Sequence, residues 1–364
     1  MARVVVITGA GAGVGRATAI AFARAGYDVA LVARGPERLE AAANEARAQG
    51  ANALVVPADV ADAAAVEAAA ERIERALGPI DVWVNTAMVT IFAPVHEITA
   101  DEFRRVTEVT YLGYVHGTLA ALKRMRRRNR GVIVQVGSAL SYRAIPLQSA
   151  YCGAKFAIRG FTDALRSELL HDRSQVRLTM VQLPAVNTPQ FDWARNKLPT
   201  KVQPVPPIYQ PESIAHEIVR AARRRPREVW LGVPAVKAII GNMLVPGYAD
   251  RLLATRGYSG QITSEARPKD QPDNLLTPVP GDPGTRGRFV ATSPRRLRAF
   301  NPAWLRAGAL VGLVGVLAGA WAVGQLIGHD QARRGRTGHP TRADHRVVQT
   351  ARTTGGRLQT LGRR

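Results

Sequence analysis

At 364 residues with 46% hydrophobic side chains, the chain can bury one large core or two small ones, which excludes a wholly disordered protein. Its formal charge of +22 is unevenly placed: from Thr285 onward 15 Arg stand against 2 Asp, so +13 sits in the last fifth and +9 remains for the first 284 residues, too little to mark the whole chain as a nucleic-acid binder. One cysteine, Cys152, excludes an intramolecular disulfide, fits a reducing compartment, and reads as a small packing residue.

Val4 to Thr8 is an apolar, largely β-branched run that predicts a strand, and after a glycine cluster the apolar spacing from about Val14 to Ala25 predicts a helix. The opening lacks a charged stretch, an apolar run and a small-residue cleavage site in that order, so it reads as a strand and not a signal peptide; a cytoplasmic catalytic domain is expected. The alternation continues. Residues 27–34 and 53–60 predict strands, each followed by a helix, and residues 80–87 predict a fourth strand. Thr99 with Glu102 forms a capping-box pattern opening a long helix to about Arg128, whose basic end, residues 125–130, suits a solvated helix terminus. Residues 131–138 predict a fifth strand, about 150–171 a helix, 176–184 a sixth strand, 211–224 a helix after a proline-rich loop, and 227–232 a seventh strand.

Strands alternating with helices of this length predict an α/β, doubly wound parallel sheet of the Rossmann type over residues 1–235. Residues 236–258 predict a helical extension, read as packing on the sheet edge in preference to a substrate lid. Residues 259–306, rich in Pro, Gly and Arg, read as a linker. Residues 307–327 run 21 positions with Gln325 as the single polar side chain, with glycines at small-xxx-small spacing, and predict a transmembrane helix; 328–364 read as a basic, disordered tail. Arginines flank that apolar run on both sides, so the tail's topology is left open, and anionic lipid is favoured over nucleic acid as their partner.

The turn TGAGAGVG, residues 8–15, lies between a predicted strand and a predicted helix, the context in which glycines let a backbone approach a pyrophosphate at a helix N-terminus. The second strand ends in Ala33-Arg34, with Arg38 one turn on and no acid at the strand end, a pattern that suits a ribose 2′-phosphate and so NADP(H) in preference to NAD(H). Tyr151 and Lys155 stand four residues apart on one helix face, and Ser138 ends the strand before them. An ammonium held near a phenol lowers its pKa, and a hydroxyl can hold a carbonyl within reach, so the trio suits acid/base chemistry at a carbonyl or alcohol. No metal site is expected.

With the strand, glycine turn, serine and YxxxK motif in this order, residues 1–235 resemble the short-chain dehydrogenase/reductase (SDR) family. The resemblance assigns the cofactor turn to Thr8, Gly9, Gly13, Val14 and Gly15, an adenine contact to Asp59 and Val60, further cofactor contacts to Asn85, Ala87, Val186 and Thr188, and catalysis to Ser138, Tyr151 and Lys155. It implies that Tyr151 exchanges the proton, Lys155 lowers its pKa and binds the nicotinamide ribose, and Ser138 orients the substrate oxygen. Three departures stand out: Met88 replaces a glycine in the family's NNAG segment, Thr110 replaces the catalytic asparagine of the long fourth helix, and Leu183-Pro184 replaces Pro-Gly after the sixth strand.

The expected function is an NADP(H)-dependent oxidoreductase that interconverts a carbonyl and a secondary alcohol (EC 1.1.1.-), on an apolar small molecule near a membrane. A membrane-tethered NADP(H)-binding sensor or scaffold without turnover is the rival. Homo-oligomerisation is left open, and nucleic acid is not an expected partner.

Overall fold

The computed structural model describes residues 2–289 and 297–303, with residues 307, 308, 318 and 321. The chain divides into Met1–Trp304 and Leu305–Arg364, and the elements below belong to the first unit. The expected transmembrane segment 307–327 and the basic tail 328–364 lie almost wholly outside the described residues; among those described, no helix is long and apolar enough to cross a membrane.

Strand β1 (Arg3–Thr8) leads through the glycine turn into helix α1 (Gly13–Arg24), then β2 (Tyr27–Ala33), α2 (Pro36–Arg47), β3 (Ala53–Pro57), α3 (Ala63–Leu77) and β4 (Ile80–Asn85). After the short β5 (Ile91–Phe92) come α4 (Ala100–Thr107), a π-helical turn at Glu108–Leu112, α5 (Gly113–Met125), β6 (Gly131–Ser138), α6 (Ser149–His171) and β7 (Val176–Leu183). The remainder comprises α7 (Gln190–Trp193), β8 (Arg195–Asn196), β9 (Thr200–Val202), α8 (Pro211–Arg224), β10 (Glu228–Leu231), α9 (Val233–Leu244), α10 (Pro246–Leu252), a second π-helical turn at Leu253–Gly257, β11 (Ile262–Ala266) and β12 (Ala299–Phe300).

The eight-stranded sheet runs β12-β10-β7-β6-β4-β1-β2-β3 and is parallel except for β12, which pairs antiparallel with β10. Its valine- and isoleucine-rich strands are buried on both faces, as expected where helices cover a parallel sheet on both sides. On one side Val66 and Ile73 of α3, Ala120 of α5 and Leu165 of α6 join Trp83; on the other Phe22 of α1, Leu39 of α2 and Ile214 of α8 join Val5 and Ile7. Strand order reverses between β1 and β4. A crevice opens at the carboxyl ends of the strands there, where doubly wound sheets bind ligands.

The structure differs from the sequence reading in two places that matter for the site. The capping box at Thr99 and Glu102 forms, but the long helix is not continuous. The π-helical turn inserts one residue, and Thr110 within it donates to Val89 O (2.9 Å) and accepts from Val89 N (3.1 Å). The second difference is residues 259–289, read as a linker: β11 pairs antiparallel with β9, and the chain beyond it hydrogen-bonds to the α/β body at Trp193, Arg34, Arg38 and Gly13. The extension at 236–258 does pack on the sheet edge, where Ile239 joins Tyr142 and Trp230, and α9 also lines the cavity described next.

Candidate active site

A cavity of about 450 Å³ lies at the carboxyl ends of the strands. Gly9, Gly13, Val14 and Gly15 line it from the glycine turn, Arg34, Asp59 and Val60 from the ends of β2 and β3, and Ser138, Tyr151 and Lys155 from β6 and α6. Ala87, Met88, Val186 and Thr188 line it as well. The sheet brings together almost all the residues singled out in the sequence.

The glycines act through close approach. A Cβ at Gly15 would lie 2.2 Å from Gly9 O, and one at Gly9, where φ is +70°, would lie 2.7 Å from Ala87 Cα, so the turn can sit this near the β4 loop only without side chains. Thr8 and Asn85 do not reach the cavity. Thr8 Oγ1 accepts from Thr86 N (3.1 Å) and Ala87 N (3.3 Å), bracing that loop. Asn85 is fully buried; its amide donates to Gln135 Oε1 (2.9 Å) and accepts from Trp83 Nε1 (2.9 Å). Their contribution is to hold the cradle's shape. Asp59 is occupied too: burial works against its charge, but Ala61 N–H and the Arg105 guanidinium hold its carboxyl below the ordinary value.

Ser138 ends β6, its hydroxyl accepts from Leu140 N (3.1 Å), and it lines the cavity together with Tyr151 from the first turn of α6. Burial raises the Tyr151 phenol above its ordinary value, the neighbouring Cys152 adds to this, and the Ser138 hydroxyl opposes it. Burial also lowers Lys155 to about 7, so near neutral pH its amine is divided between charged and neutral forms.

Lys155 makes hydrogen bonds that the sequence reading missed. Its Nζ donates to Tyr114 Oη (3.0 Å) and Val136 O (2.9 Å), and lies 5.5 Å from the centre of the Tyr151 ring. Tyr114 Oη in turn donates to Val136 O (2.9 Å), and Tyr114 is completely buried while lining the cavity. The signal for Tyr114 was faint: an aromatic four residues after Thr110 in a predicted helix, brought to the site by the π-helical turn between them. Thr110 itself does not line the cavity; its hydroxyl donates to Val89 O and accepts from Val89 N.

The far wall is mostly apolar, although Arg143, Gln148 and Gln190 also line it. Leu140 and Ile145 precede α6, Phe191 comes from α7, Pro234 and Ala238 from α9 and Leu253 from the second π-helical turn. Gln261 ties this wall down by donating to Pro146 O (2.9 Å) and Gly257 O (2.7 Å) and accepting from Gln148 (2.6 Å). The glycine turn at a helix N-terminus and the arginines beyond β2 provide the donor set that a dinucleotide's phosphates require, so the residues fit a nicotinamide cofactor.

Comparison with known proteins agrees. Residues 3–198 match the family model of short chain dehydrogenases. The chain is similar to the uncharacterized oxidoreductase YxnA of Bacillus subtilis, 31% identical over 88% of this chain and 90% of that protein. It is also similar to a fatty acyl-CoA reductase of Acinetobacter baylyi, 31% identical over 62% of this chain and 75% of that protein. Among solved structures, an alcohol dehydrogenase of Thermococcus sibiricus complexed with 5-hydroxy-NADP aligns over 63% of this chain and 96% of its own, at 31% identity and a TM-score of 0.54. The ordered sheet, the glycine cradle and the Ser138–Tyr151–Lys155 group accord with these matches: the chain belongs to the short chain dehydrogenase family of oxidoreductases.

Proposed function

We propose that the protein is an NADP(H)-dependent oxidoreductase that interconverts a carbonyl and a secondary alcohol on an apolar substrate. The observation that carries this reading is the convergence of Ser138, Tyr151 and Lys155 on one cavity beside the glycine turn. A bound nicotinamide supplies or takes up the hydride. Ser138 holds the substrate oxygen, Tyr151 gives that oxygen its proton or removes it, and the charged form of Lys155 favours the phenolate. NADP(H) is preferred over NAD(H) because Arg34 and Arg38 stand beyond β2 with no carboxylate at the strand end to receive a free 2′-hydroxyl.

Apolar substrate is supported by a second feature. Met243 to Tyr248, at the corner between α9 and α10, form six consecutive exposed residues without a charge, with Leu244 74% and Tyr248 66% exposed. The helix leading into this corner also supplies Pro234, Ala235 and Ala238 to the cavity. Such a tip suits delivery of substrate from a lipid surface. The rival reading, a cofactor-binding sensor, draws on Thr110: bonded entirely to Val89, it holds no proton relay as an asparagine would.

The test is NADPH and NADH oxidation by the full chain against aldehydes, ketones and quinones, with Tyr151→Phe alongside. Turnover that prefers NADPH and falls by about 10²–10⁴ in the variant, with NADPH binding nearly unchanged, is expected. Equal turnover by Tyr151→Phe would sink the mechanism, and tight NADPH binding without turnover on every class would favour the sensor.

A further inference from the structure

We propose that residues 273–289 are a built-in competitor of the cofactor, a strap docked on the groups that would hold the dinucleotide's phosphates and adenosine, so that cofactor binding requires the strap's release. This rests on the cofactor reading above and adds regulation to the same site.

The strap enters beside α7, where Arg195 pairs with Asp273 (3.0 Å) and Asn274 N donates to Trp193 O (2.9 Å). It then takes up the arginines beyond β2. Arg34 donates to Asn274 O (2.6 Å) and Leu276 O (2.8 Å), Arg38 to Val279 O and Gly281 O, and Arg105 to Leu275 O (3.1 Å). Leu275 itself is fully buried within the hydrophobic cluster that contains Val32, Val60 and Val106. Val60 belongs to the pair singled out for adenine contact, so an apolar side chain already lies in that neighbourhood.

The strap next crosses the glycine turn. Gly284 O accepts from Gly13 N (3.2 Å), and Asp282 pairs with Arg16, a guanidinium almost without exposure that also pairs with Glu45. Beyond this, Gly287 N donates to Asn187 O (3.3 Å), Phe289 N donates to Asn187 Oδ1 (3.0 Å), and the Phe289 ring meets Phe191 edge-on at 5.8 Å. Thr188, the next residue after Asn187, was assigned to the cofactor by the family resemblance.

Backbone carbonyls and a carboxylate thus sit where anionic phosphate oxygens would be received. Arg34, Arg38 and Gly13 N–H cannot serve both sets of acceptors in one geometry. The docked strap therefore makes the binding-competent state a minor one and weakens apparent cofactor affinity by the fraction of molecules in which the strap is released.

Two full-length variants loosen the strap at separate places without altering a group in the catalytic set. In Gly287→Leu the new Cβ would lie 2.5 Å from Thr188 O and 2.8 Å from Thr188 C, backbone atoms that cannot turn aside. Leu275→Asn removes the buried apolar anchor. NADPH binding is measured by fluorescence titration of the wild type and both variants. In the wild type, trypsin cleavage after Arg286 and Arg288 is followed by mass spectrometry with and without NADPH, which needs no variant to fold.

Competition predicts about tenfold tighter NADPH binding in both variants, and faster cleavage after Arg286 and Arg288 when NADPH is present. Weaker binding in the variants together with protection by NADPH would overturn the proposal and make the strap a clasp on bound cofactor. Unchanged affinity with unchanged cleavage would overturn it while leaving the cofactor reading intact. Absence of NADPH and NADH binding in all three proteins would overturn the cofactor reading, and the competition with it.

Discussion

Removing the Tyr114 hydroxyl tests how Lys155 is positioned. In the native site the Lys155 amine donates to Tyr114 Oη at 3.0 Å and to Val136 O at 2.9 Å, in a fully buried setting. Tyr114→Phe keeps the ring and its packing but removes one of two protein acceptors from a buried cation. A hydrogen bond to a charged group is worth about 1.5–3 kcal/mol. Its loss disfavours the ammonium, so the Lys155 pKa, already lowered to about 7 by burial, falls further. Less positive charge then stands near Tyr151, whose phenol is already raised by burial, and the phenolate becomes harder to form.

The assay is alcohol oxidation with NADP⁺ followed from pH 6 to 10. The variant's kcat is expected to fall about tenfold at pH 7, the rate equivalent of about 1.4 kcal/mol, and the apparent pKa of the rising limb to move up by about one unit. KM for the alcohol should change little, because the hydroxyl acts through Lys155. A thermal melt of the variant close to that of the wild type excludes a folding defect. A kcat–pH profile superposing on the wild type's, or a change confined to KM, would refute the positioning role.

Lys155 also makes a prediction for stability. Its folded pKa of about 7 lies below the ~10.4 of an unfolded lysine, so between these values the unfolded chain binds a proton that the native state lacks, and stability rises with pH. Cys152, pushed up to about 11, opposes this once an unfolded thiol begins to ionise near ~8.5. The clean window is therefore about pH 7–8.5, in which urea melts of the cofactor-free protein should show a gain of about 2 kcal/mol that Lys155→Met abolishes; equal slopes for both proteins would contradict the burial argument. Gly15→Ala places a Cβ 2.2 Å from Gly9 O, a backbone atom held by the turn, and should cost about 3 kcal/mol in chemical denaturation together with loss of NADPH binding. A stable variant with intact binding would show that the turn relaxes. Leu244→Asp, at the exposed corner of α9 and α10, should reduce co-flotation with anionic vesicles while leaving turnover of a water-soluble ketone unchanged. Unaltered flotation would remove the tip from the lipid reading.

Much of the fold was legible because the strands announce themselves. Runs such as Val4–Thr8 and Val132–Val134 are continuous, β-branched and separated by helix-length segments, as a parallel sheet covered on both faces requires. Ser138, Tyr151 and Lys155 were legible because one lies at a strand end and the others one helical turn apart, so local geometry carries them to the same cavity. Thr8 and Asn85 show the reverse: the motif marks their positions, yet their side chains brace the loop after β4 instead of facing the cavity. The strap was illegible for a different reason. Most of its bonds to Arg34, Arg38 and Gly13 are made by main-chain carbonyls, which leave no trace in residue identity, and its prolines and glycines have the composition of an extended linker.

The threonine in place of the family's asparagine becomes coherent once the π-helical turn is placed. In an uninterrupted helix Thr110 and Tyr114 would share one face. With one residue inserted between α4 and α5, Thr110 turns toward Val89 and secures both its N–H and its carbonyl, while Tyr114 turns toward Lys155 and Val136. An asparagine's two amide functions could brace a neighbouring backbone and still offer a polar group to the site, whereas one hydroxyl already bonded in both senses cannot. Here Thr110 braces Val89 while Tyr114, one turn on, contacts the buried lysine. We propose that Tyr114 Oη takes over the task the family's asparagine would have in the site. If Tyr114 carries this task, Thr110→Val should lower stability by loosening the loop at Val89 and leave the kcat–pH profile in place, opposite to Tyr114→Phe. Melts and pH profiles of the two single variants and the double variant separate the roles, and a Thr110→Val profile shifted like that of Tyr114→Phe would show that the two act as one unit.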